Sequence, residues 1–264
     1  MTATNVHDLL RSAMPPAARK APNAKPRPPK ADPAARPIHV RVKFERPGDG
    51  AVLRDQVFDR CELRNSWIRR PKASPHFVRA ERLDFIGCSV RAQRGFSRVE
   101  CHEILVRGMP KKSAGILANE LLLDRVTFEG DFHVAWTFFW VADHLDAVEL
   151  AYVRDFYAGL PSFALDIRNA RFMGLTLRGI PGHLVLRDPA TTALVHRDRL
   201  EADRSWCKLD EWGRPADSVS SELAMFLSAE PRWPSRVLVA GVLGKRAEQD
   251  LAALNALKRA GFAE

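Results

Sequence analysis

Six arginines occupy one recurring position in this chain and are its clearest candidates for binding a partner. Each directly follows a large apolar residue at the centre of a five-residue block. The six are Arg64, Arg69, Arg91, Arg154, Arg168 and Arg178. If blocks from successive turns of the chain stack about 4.8 Å apart, as neighbouring strands do, their guanidinium groups form a column on the outside of the protein.

Such a column supports two interpretations. It is a basic stripe that binds an acidic protein or a phosphate backbone, or it is a solvated ladder in which Asp59, Asp124 and Glu129 interleave with the arginines. The partner-binding candidates are Arg64, Arg91, Arg154 and Arg178.

A second candidate for chemistry is the glycine-containing segment GVLGK at 241–245. A Walker loop has four residues between its glycines and a Ser or Thr after its lysine. Here two residues separate the glycines, and Arg246 follows the lysine. A helix N-terminus beside Lys245 and Arg246 would still attract an anion. A weak anion site and a plain packing turn both stay open, and no cofactor is predicted.

A metal site would require cysteine and histidine at paired spacings. Cys101-His102 together with His133 or His144 lacks such spacing. His102 falls at an inward position of its block, which favours a hydrogen-bonded core histidine. No metal site is predicted.

Catalysis on acidic polysaccharides, which some β-helical enzymes perform, would use clustered aspartate and arginine. Asp155 with Arg154 and Asp166 with Arg168 are pairs of this kind. No second carboxylate at a defined separation accompanies either pair. The sequence therefore predicts no catalytic residue and a protein that is not an enzyme, with polysaccharide chemistry as an alternative.

The blocks that would position these residues are clearest at Gln56–Arg70, which reads QVFDR-CELRN-SWIRR. The pattern returns at 83–92 (LDFIG-CSVRA), 146–155 (DAVEL-AYVRD) and 165–179 (LDIRN-ARFMG-LTLRG). A period of five fits neither a strand nor a helix. It fits a chain that turns a corner after each short extended piece, so that coils stack as a parallel solenoid.

These blocks resemble the pentapeptide-repeat family, whose central residue is Leu or Phe and whose residue two positions earlier is small. The resemblance covers ten blocks of the 264-residue chain. It implies a right-handed parallel β-helix of irregular coils, and a β-sandwich with short strands is the alternative. Members of that family that inhibit topoisomerases imitate DNA because they are strongly acidic, whereas this chain carries a net charge of +9.

Composition divides the chain into three parts. Residues 1–37 form a basic, proline-rich arm, predicted to be disordered after a short helix at Asn5–Met14. Residues 38–200 form the β-helix, beginning with an alternating strand at Ile38–Phe44 that covers its open end. Residues 201–264 form an α/β cap or a small appendage, with helices at 218–228 and 245–260 flanking a strand at 236–243, and Gly261 ends the last helix.

The aromatic segment Phe132–Trp140 interrupts the blocks and contains five aromatic residues. It is either core in one wide coil or an exposed bulge for self-association or a partner. In an extended chain Trp136, Phe138 and Trp140 share one face, so they join the partner-binding candidates.

Cysteine content indicates a reducing compartment. The four cysteines are too few and scattered for a disulfide framework, and Cys61 and Cys88 occupy small inward positions. The N-terminus lacks the apolar run of a secretory signal, and the longest apolar run, Phe132–Ala142, is too short to span a bilayer. The sequence predicts a cytoplasmic, non-enzymatic interaction protein that binds a macromolecular partner, a protein rather than nucleic acid. Nucleic-acid binding through the arginine face and arm is the second hypothesis.

Overall fold

In this computed structural model the structure describes residue 36 and residues 38–40, 43–44, 52–63, 68–69, 77–90, 94–139, 147–209, 218–229 and 233–264. The strands are β1 (Ile38–Val40), β2 (Lys43–Phe44), β3 (Leu53–Asp59), β4 (Glu62–Leu63), β5 (Ile68–Arg69), β6 (Val78–Ile86), β7 (Ser89–Val90), β8 (Arg94–His102), β9 (Leu105–Met109), β10 (Ile116–Asp124), β11 (Val126–Phe139), β12 (Leu165–Leu177), β13 (Val185–Leu186), β14 (Thr192–His196) and β15 (Ser235–Val239). The α-helices are α1 (Ala147–Ala158), α2 (Arg197–Ala202), α3 (Ser218–Ala229) and α4 (Ala247–Arg259). The predicted helix at Asn5–Met14 and the arm through residue 35 lie outside the described residues.

Parallel pairing dominates the sheets, and the protein is mainly β, as predicted. Among the described residues the largest sheet has ten strands on the path β1-β3-β6-β8-β10-β11-β12-β13, with β5 beside β8 and with β9 beside β6 and β11. A smaller sheet has the order β2-β4-β7. All pairings in these two sheets are parallel, which excludes a sandwich of antiparallel neighbours. The path of the large sheet is open and does not close on itself.

Register shows how the chain advances from strand to strand. His39, Phe58, Phe85, Val106 and Phe128 are successive register partners across β1, β3, β6, β9 and β11. The chain therefore advances by 19 to 27 residues per step. The aromatic partners stack, with ring centroids 5.0 Å apart for His39 and Phe58 and 5.1 Å apart for Phe58 and Phe85.

Two columns of left-handed corners flank these strand pieces. The first column consists of Asp55, Arg82, Glu103 and Arg125, with φ between 51° and 56°. The second consists of Arg60, Gly87, Gly108 and Gly130, with φ between 53° and 83°. Each member of the second column follows its counterpart in the first by five residues. Corners of this kind explain the five-residue period at 55–60 and 82–87, because a residue with positive φ redirects an extended chain.

Most predicted block centres point into one core. Phe58, Leu63, Phe85 and Val90 are buried, and so are the inward cysteines Cys61 and Cys88. The three blocks at 165–179 also have buried centres, although they form one long strand, β12, without a corner until Gly179.

The two blocks at 146–155 are a wrong prediction, because this segment lies in helix α1. Val148, a predicted inward centre, is 77 % exposed. The buried residues of α1 are Val153 and Tyr157, which lie four apart on one helix face.

The C-terminal part has its own core. β14 pairs antiparallel with β15, and a second hydrophobic cluster joins these strands to α2, α3 and α4 through residues such as Val195, Leu223 and Leu257. The predicted helices and strand of this region are present as α3, β15 and α4. Gly261 has φ +81 and ends α4, as predicted. None of the described helices is long and apolar enough to cross a bilayer.

Candidate functional site

The densest group of polar side chains lies where β8 and β10 end and α1 crosses them. We call it the His102 cluster, and its members are Arg79, Glu100, His102, Asp124, Arg125 and Tyr152. His102 and Asp124 are register partners at the last positions of their strands. Parallel register therefore brings together two residues that are 22 apart in sequence.

His102 bridges two carboxylates at the centre of this cluster. Its Nδ1 lies 3.1 Å from Asp124 Oδ2, and its Nε2 lies 3.3 Å from Glu100 Oε2. Both carboxylate residues are buried, with 4 % of Glu100 and 7 % of Asp124 exposed. Arg125 Nη2 lies 3.0 Å from Asp124 Oδ2 and supplies a further cation. The carboxylates are thus neutralised within the cluster.

Helix α1 is anchored to the strands through the same cluster. The Tyr152 hydroxyl donates to Glu100 Oε1, and Arg79 Nε donates to Glu100 Oε2 at 3.0 Å. The Tyr152 ring stacks on Phe77 at 5.6 Å, and Phe156 packs edge-on against His102 at 5.9 Å. Glu100 therefore links a strand, a helix and two cationic side chains.

Protonation states follow from these contacts. Burial alone would lower the pKa of His102, but the hydrogen bonds to Asp124 and Glu100 overcome it and raise the pKa to about 9. Burial would raise the pKa of Glu100, but the hydrogen bonds from His102, Tyr152 and Arg79 lower it. Burial and the bond to Glu100 raise the pKa of Tyr152 to about 12. At pH 7 the cluster holds an imidazolium, ionised Glu100 and a neutral phenol.

These charge states suit a structural anchor better than acid–base catalysis. A general acid or base works best with a pKa near the working pH, and the pKa values of His102 and Tyr152 are both displaced well above 7. The sequence predicted that His102 is a hydrogen-bonded core histidine, and both of its ring nitrogens do have hydrogen-bond partners. However, His102 is only partly buried and forms ion pairs.

The predicted arginine column is not assembled in the described part of the chain. Arg64 and Arg91 lie outside the described residues. Arg154 lies on α1 beside Asp155, with Nε 3.3 Å from Oδ1. Arg178 is half-buried, and its Nη2 lies 3.4 Å from Glu222 Oε1. Two of the four candidates therefore lie on different elements, each with an acidic neighbour.

Charged side chains instead alternate in sign along the first corner column. Arg82 Nη2 lies 2.8 Å from Asp55 Oδ2, and Arg125 Nε lies 3.3 Å from Glu103 Oε1. Arg107 pairs similarly with its register partner Glu129 at 2.8 Å. This ladder of mixed charge is built from other residues than the predicted one, and it shares only Glu129 with the alternative that the sequence left open.

Aromatic residues of β11 are internal, which corrects the prediction of an exposed bulge at Trp136 and Phe138. Both are 4 % exposed, and their rings stack with centroids 5.9 Å apart. Phe128 packs edge-on against Trp136 at 4.9 Å. Trp140 lies outside the described residues. The strands surround a small apolar cavity of about 30 Å³ lined in part by Trp136 and Phe138.

The segment at 241–245 is a packing turn. The Gly241 amide donates to buried Asp250 Oδ2 at 2.9 Å, and the Leu243 amide donates to Phe172 O at 3.0 Å. These two amides are therefore already bonded to a carboxylate of α4 and to a carbonyl of β12, and they cannot donate to a phosphate at the same time. A Cβ on Gly241 would lie 2.4 Å from Met173 O, which explains why glycine occupies this position.

The environment of Cys101 differs from that of a metal-binding thiolate. Cys101 is buried, and burial raises its pKa to about 12. His144 lies outside the described residues, and the residues that are described contain no group of three His, Cys, Asp or Glu arranged to hold a metal ion.

The cluster itself was missed at sequence level except for His102. The available signal was the 22-residue separation of His102 and Asp124, which is close to one advance of the chain. In comparisons with known proteins, no family model matches this chain, and neither a curated protein nor a solved structure matches it.

Proposed function

We propose that this chain is a non-enzymatic interaction protein, a right-handed parallel β-helix of pentapeptide-repeat-like type that binds a protein partner in the cytoplasm. Support for the β-helix comes from strands that pair in parallel after advances of 19 to 27 residues. Two parallel strands joined by a crossover helix need about 30 residues or more. A chain that turns corners and stacks one coil on the next connects parallel strands with fewer residues than a crossover helix does.

The contact surface we propose is the exposed part of α1 around Val148. Val148 is 77 % exposed and Tyr152 is 42 % exposed on this helix. They lie four residues apart and therefore share a face. Because the Tyr152 hydroxyl is bound to Glu100, the helix presents this face in a fixed orientation. The exposed pair of Val148 and Tyr152 is the observation that carries the proposal, since neighbouring apolar side chains that are exposed together favour a protein contact.

Charge at this surface favours a protein over nucleic acid. Arg154 on α1 lies beside Asp155, and Glu149 lies in the first turn. A phosphate backbone would require unpaired cations along a path. The polysaccharide alternative gains no support, because Asp155 and Asp166 pair with neighbouring arginines on α1 and β12 respectively.

Affinity capture from the native host tests this proposal, with nuclease treatment of half the sample. Val148→Glu should abolish recovery of one stoichiometric protein. Ala158→Glu, also exposed on α1, is the matched control and should retain it. Nuclease-sensitive recovery would refute the proposal in favour of nucleic-acid binding, and so would a duplex shift with a steep salt slope. Equal recovery by both variants would exclude α1 as the contact.

A further inference from the structure

Among the described residues Arg187 forms no ion pair, although its guanidinium is partly buried. It directly follows β13 and precedes a turn at 188–191. Its Nη1 is buried and has no hydrogen-bond partner. Across the described residues no ion pair to this side chain is found. Burying a cation without a partner is costly.

Other arginines with buried nitrogens in the described chain each have an acidic partner. These pairs are Arg36–Asp84 at 2.9 Å, Arg125–Asp124 at 3.0 Å, Arg178–Glu222 at 3.4 Å, Arg197–Glu201 at 3.4 Å, and Arg236–Glu222. Pairing is therefore the rule in this molecule, and Arg187 departs from it.

Lys258 brings a second cation to the same place. Its Nζ donates to the carbonyl of Pro189, two residues beyond Arg187. Burial lowers the pKa of Lys258, and the positive charge of Arg187 lowers it further. The pKa of Arg187 is also lowered by burial, against the attraction of Glu264. The hydrogen bond to Pro189 thus places the Lys258 ammonium on the turn that follows Arg187.

Neighbouring carboxylates are engaged elsewhere. Asp188 Oδ1 accepts the Ala190 amide at 2.9 Å, and its Oδ2 accepts the Thr191 hydroxyl at 3.4 Å. Glu264 Oε1 lies 3.3 Å from Arg199 Nη2 and 3.6 Å from His196 Nε2. Among the described residues neither carboxylate forms an ion pair with Arg187 or Lys258, so neither neutralises the charge of the two cations.

We propose that Arg187 and Lys258 form a binding site for a phosphoryl group. The guanidinium supplies the planar fork that binds two phosphate oxygens, and the ammonium supplies a point charge for a third. Two cations match the charge of a phosphate monoester better than that of a single carboxylate. The site lies beside the last turn of α4, and the packing turn at 241–245 precedes the helix. The 13-residue helix separates them by about 20 Å.

Titration of the full-length protein with inorganic phosphate at constant ionic strength tests the site, with thermal unfolding and calorimetric binding as readouts. We expect saturable stabilisation in the wild type. We expect affinity to fall about tenfold or more in Arg187→Gln and Lys258→Gln, as the loss of one charge-assisted hydrogen bond implies. The double variant Lys245→Gln/Arg246→Gln, changed at the other end of α4, is the control and should bind like the wild type.

Further probes identify the ligand class. Arg187→Gln should unfold at the same or a higher temperature than wild type in phosphate-free buffer, because it removes a buried unpaired charge. If it does not fold, Arg187→Lys keeps the charge without the fork and should still bind phosphate more weakly. O-phosphoserine should compete with phosphate, while acetate should not. Absence of saturable binding, full binding by Arg187→Gln, or equal binding of acetate would overturn the proposal.

Discussion

Glu100 is predicted to hold helix α1 on the strand stack, and replacing it with glutamine tests this role. Its side chain is 5 % exposed and accepts hydrogen bonds from Tyr152, Arg79 and His102. The substitution keeps the shape but removes the negative charge that both cations require. A charge-assisted bond contributes about 1.5–3 kcal/mol, but solvent screens the exposed Arg79 pair. We therefore expect the free energy of unfolding to fall by about 2–4 kcal/mol.

Urea unfolding of the full chain at pH 7 measures this loss, and hydrogen exchange locates it. Amides of 147–158 should lose protection more than those of β12. Glu129→Gln is the matched control, because Glu129 pairs with Arg107 at 2.8 Å but its side chain is 35 % exposed. That variant should lose about 1 kcal/mol or less. If both variants lose equal stability, or if α1 exchanges as before in Glu100→Gln, the anchoring role is wrong.

The remaining predictions concern pH and the corners. The folded pKa of Glu100 is lowered, so its contribution is lost as pH falls below the ordinary value of 4.5. The folded pKa of His102 is raised, so its contribution is full below 6.5 and is lost as pH rises through about 9. Urea unfolding across pH should therefore show the largest cluster contribution between 4.5 and 6.5, and His102→Gln should abolish the alkaline decline. Arg60→Gly should stabilise the protein by about 0.5–1 kcal/mol in thermal unfolding because it relieves a left-handed residue, whereas Gly87→Ala, one step along the same corner column, should destabilise it by about 1 kcal/mol. Arg82→Glu should cost more than Arg82→Ala in urea unfolding, because it places like charges beside Asp55 and Glu103; equal losses would contradict the charge ladder.

The blocks at 56–60 and 83–87 could be predicted from sequence because corner and core positions repeat there together. Phe58 and Phe85 are inward in register, and Arg60 and Gly87 turn the chain after them. The same five-residue spacing at 146–155 misled the prediction. Leu150, Val153 and Tyr157 are spaced by three and four, which is a helical pattern. This short segment fits both the five-residue period and the helical period, and tertiary packing determines that it forms a helix.

The His102 cluster could not be predicted because its partners depend on register. His102 contacts Asp124 only if β8 and β10 pair with an offset of 22 residues. Tyr152 lies on a helix, in a segment that the sequence predicted to be part of the β-helix. For a related reason, two of the predicted column's arginines lie apart from each other. Regular stacking would require each block to take the same conformation, yet Arg154 lies on a helix and Arg178 lies just beyond a long strand.

The first corner column explains how an irregular sequence can keep its register. A left-handed residue other than glycine costs about 1–2 kcal/mol, while an exposed ion pair returns about 0.2–1 kcal/mol. The pairs Asp55–Arg82 and Glu103–Arg125 therefore do not fully offset the strain of their own corners. Their contribution is better understood as selection of the register, because a shift that moved the following residue into the corner would place Leu83, Ile104 or Val126 at a positive φ and would separate each charge from its partner. The second column uses glycine at three of its four positions and lacks this charge pattern. On this basis the order of the strands depends on the charged corners, and the tightness of the turns depends on the glycines.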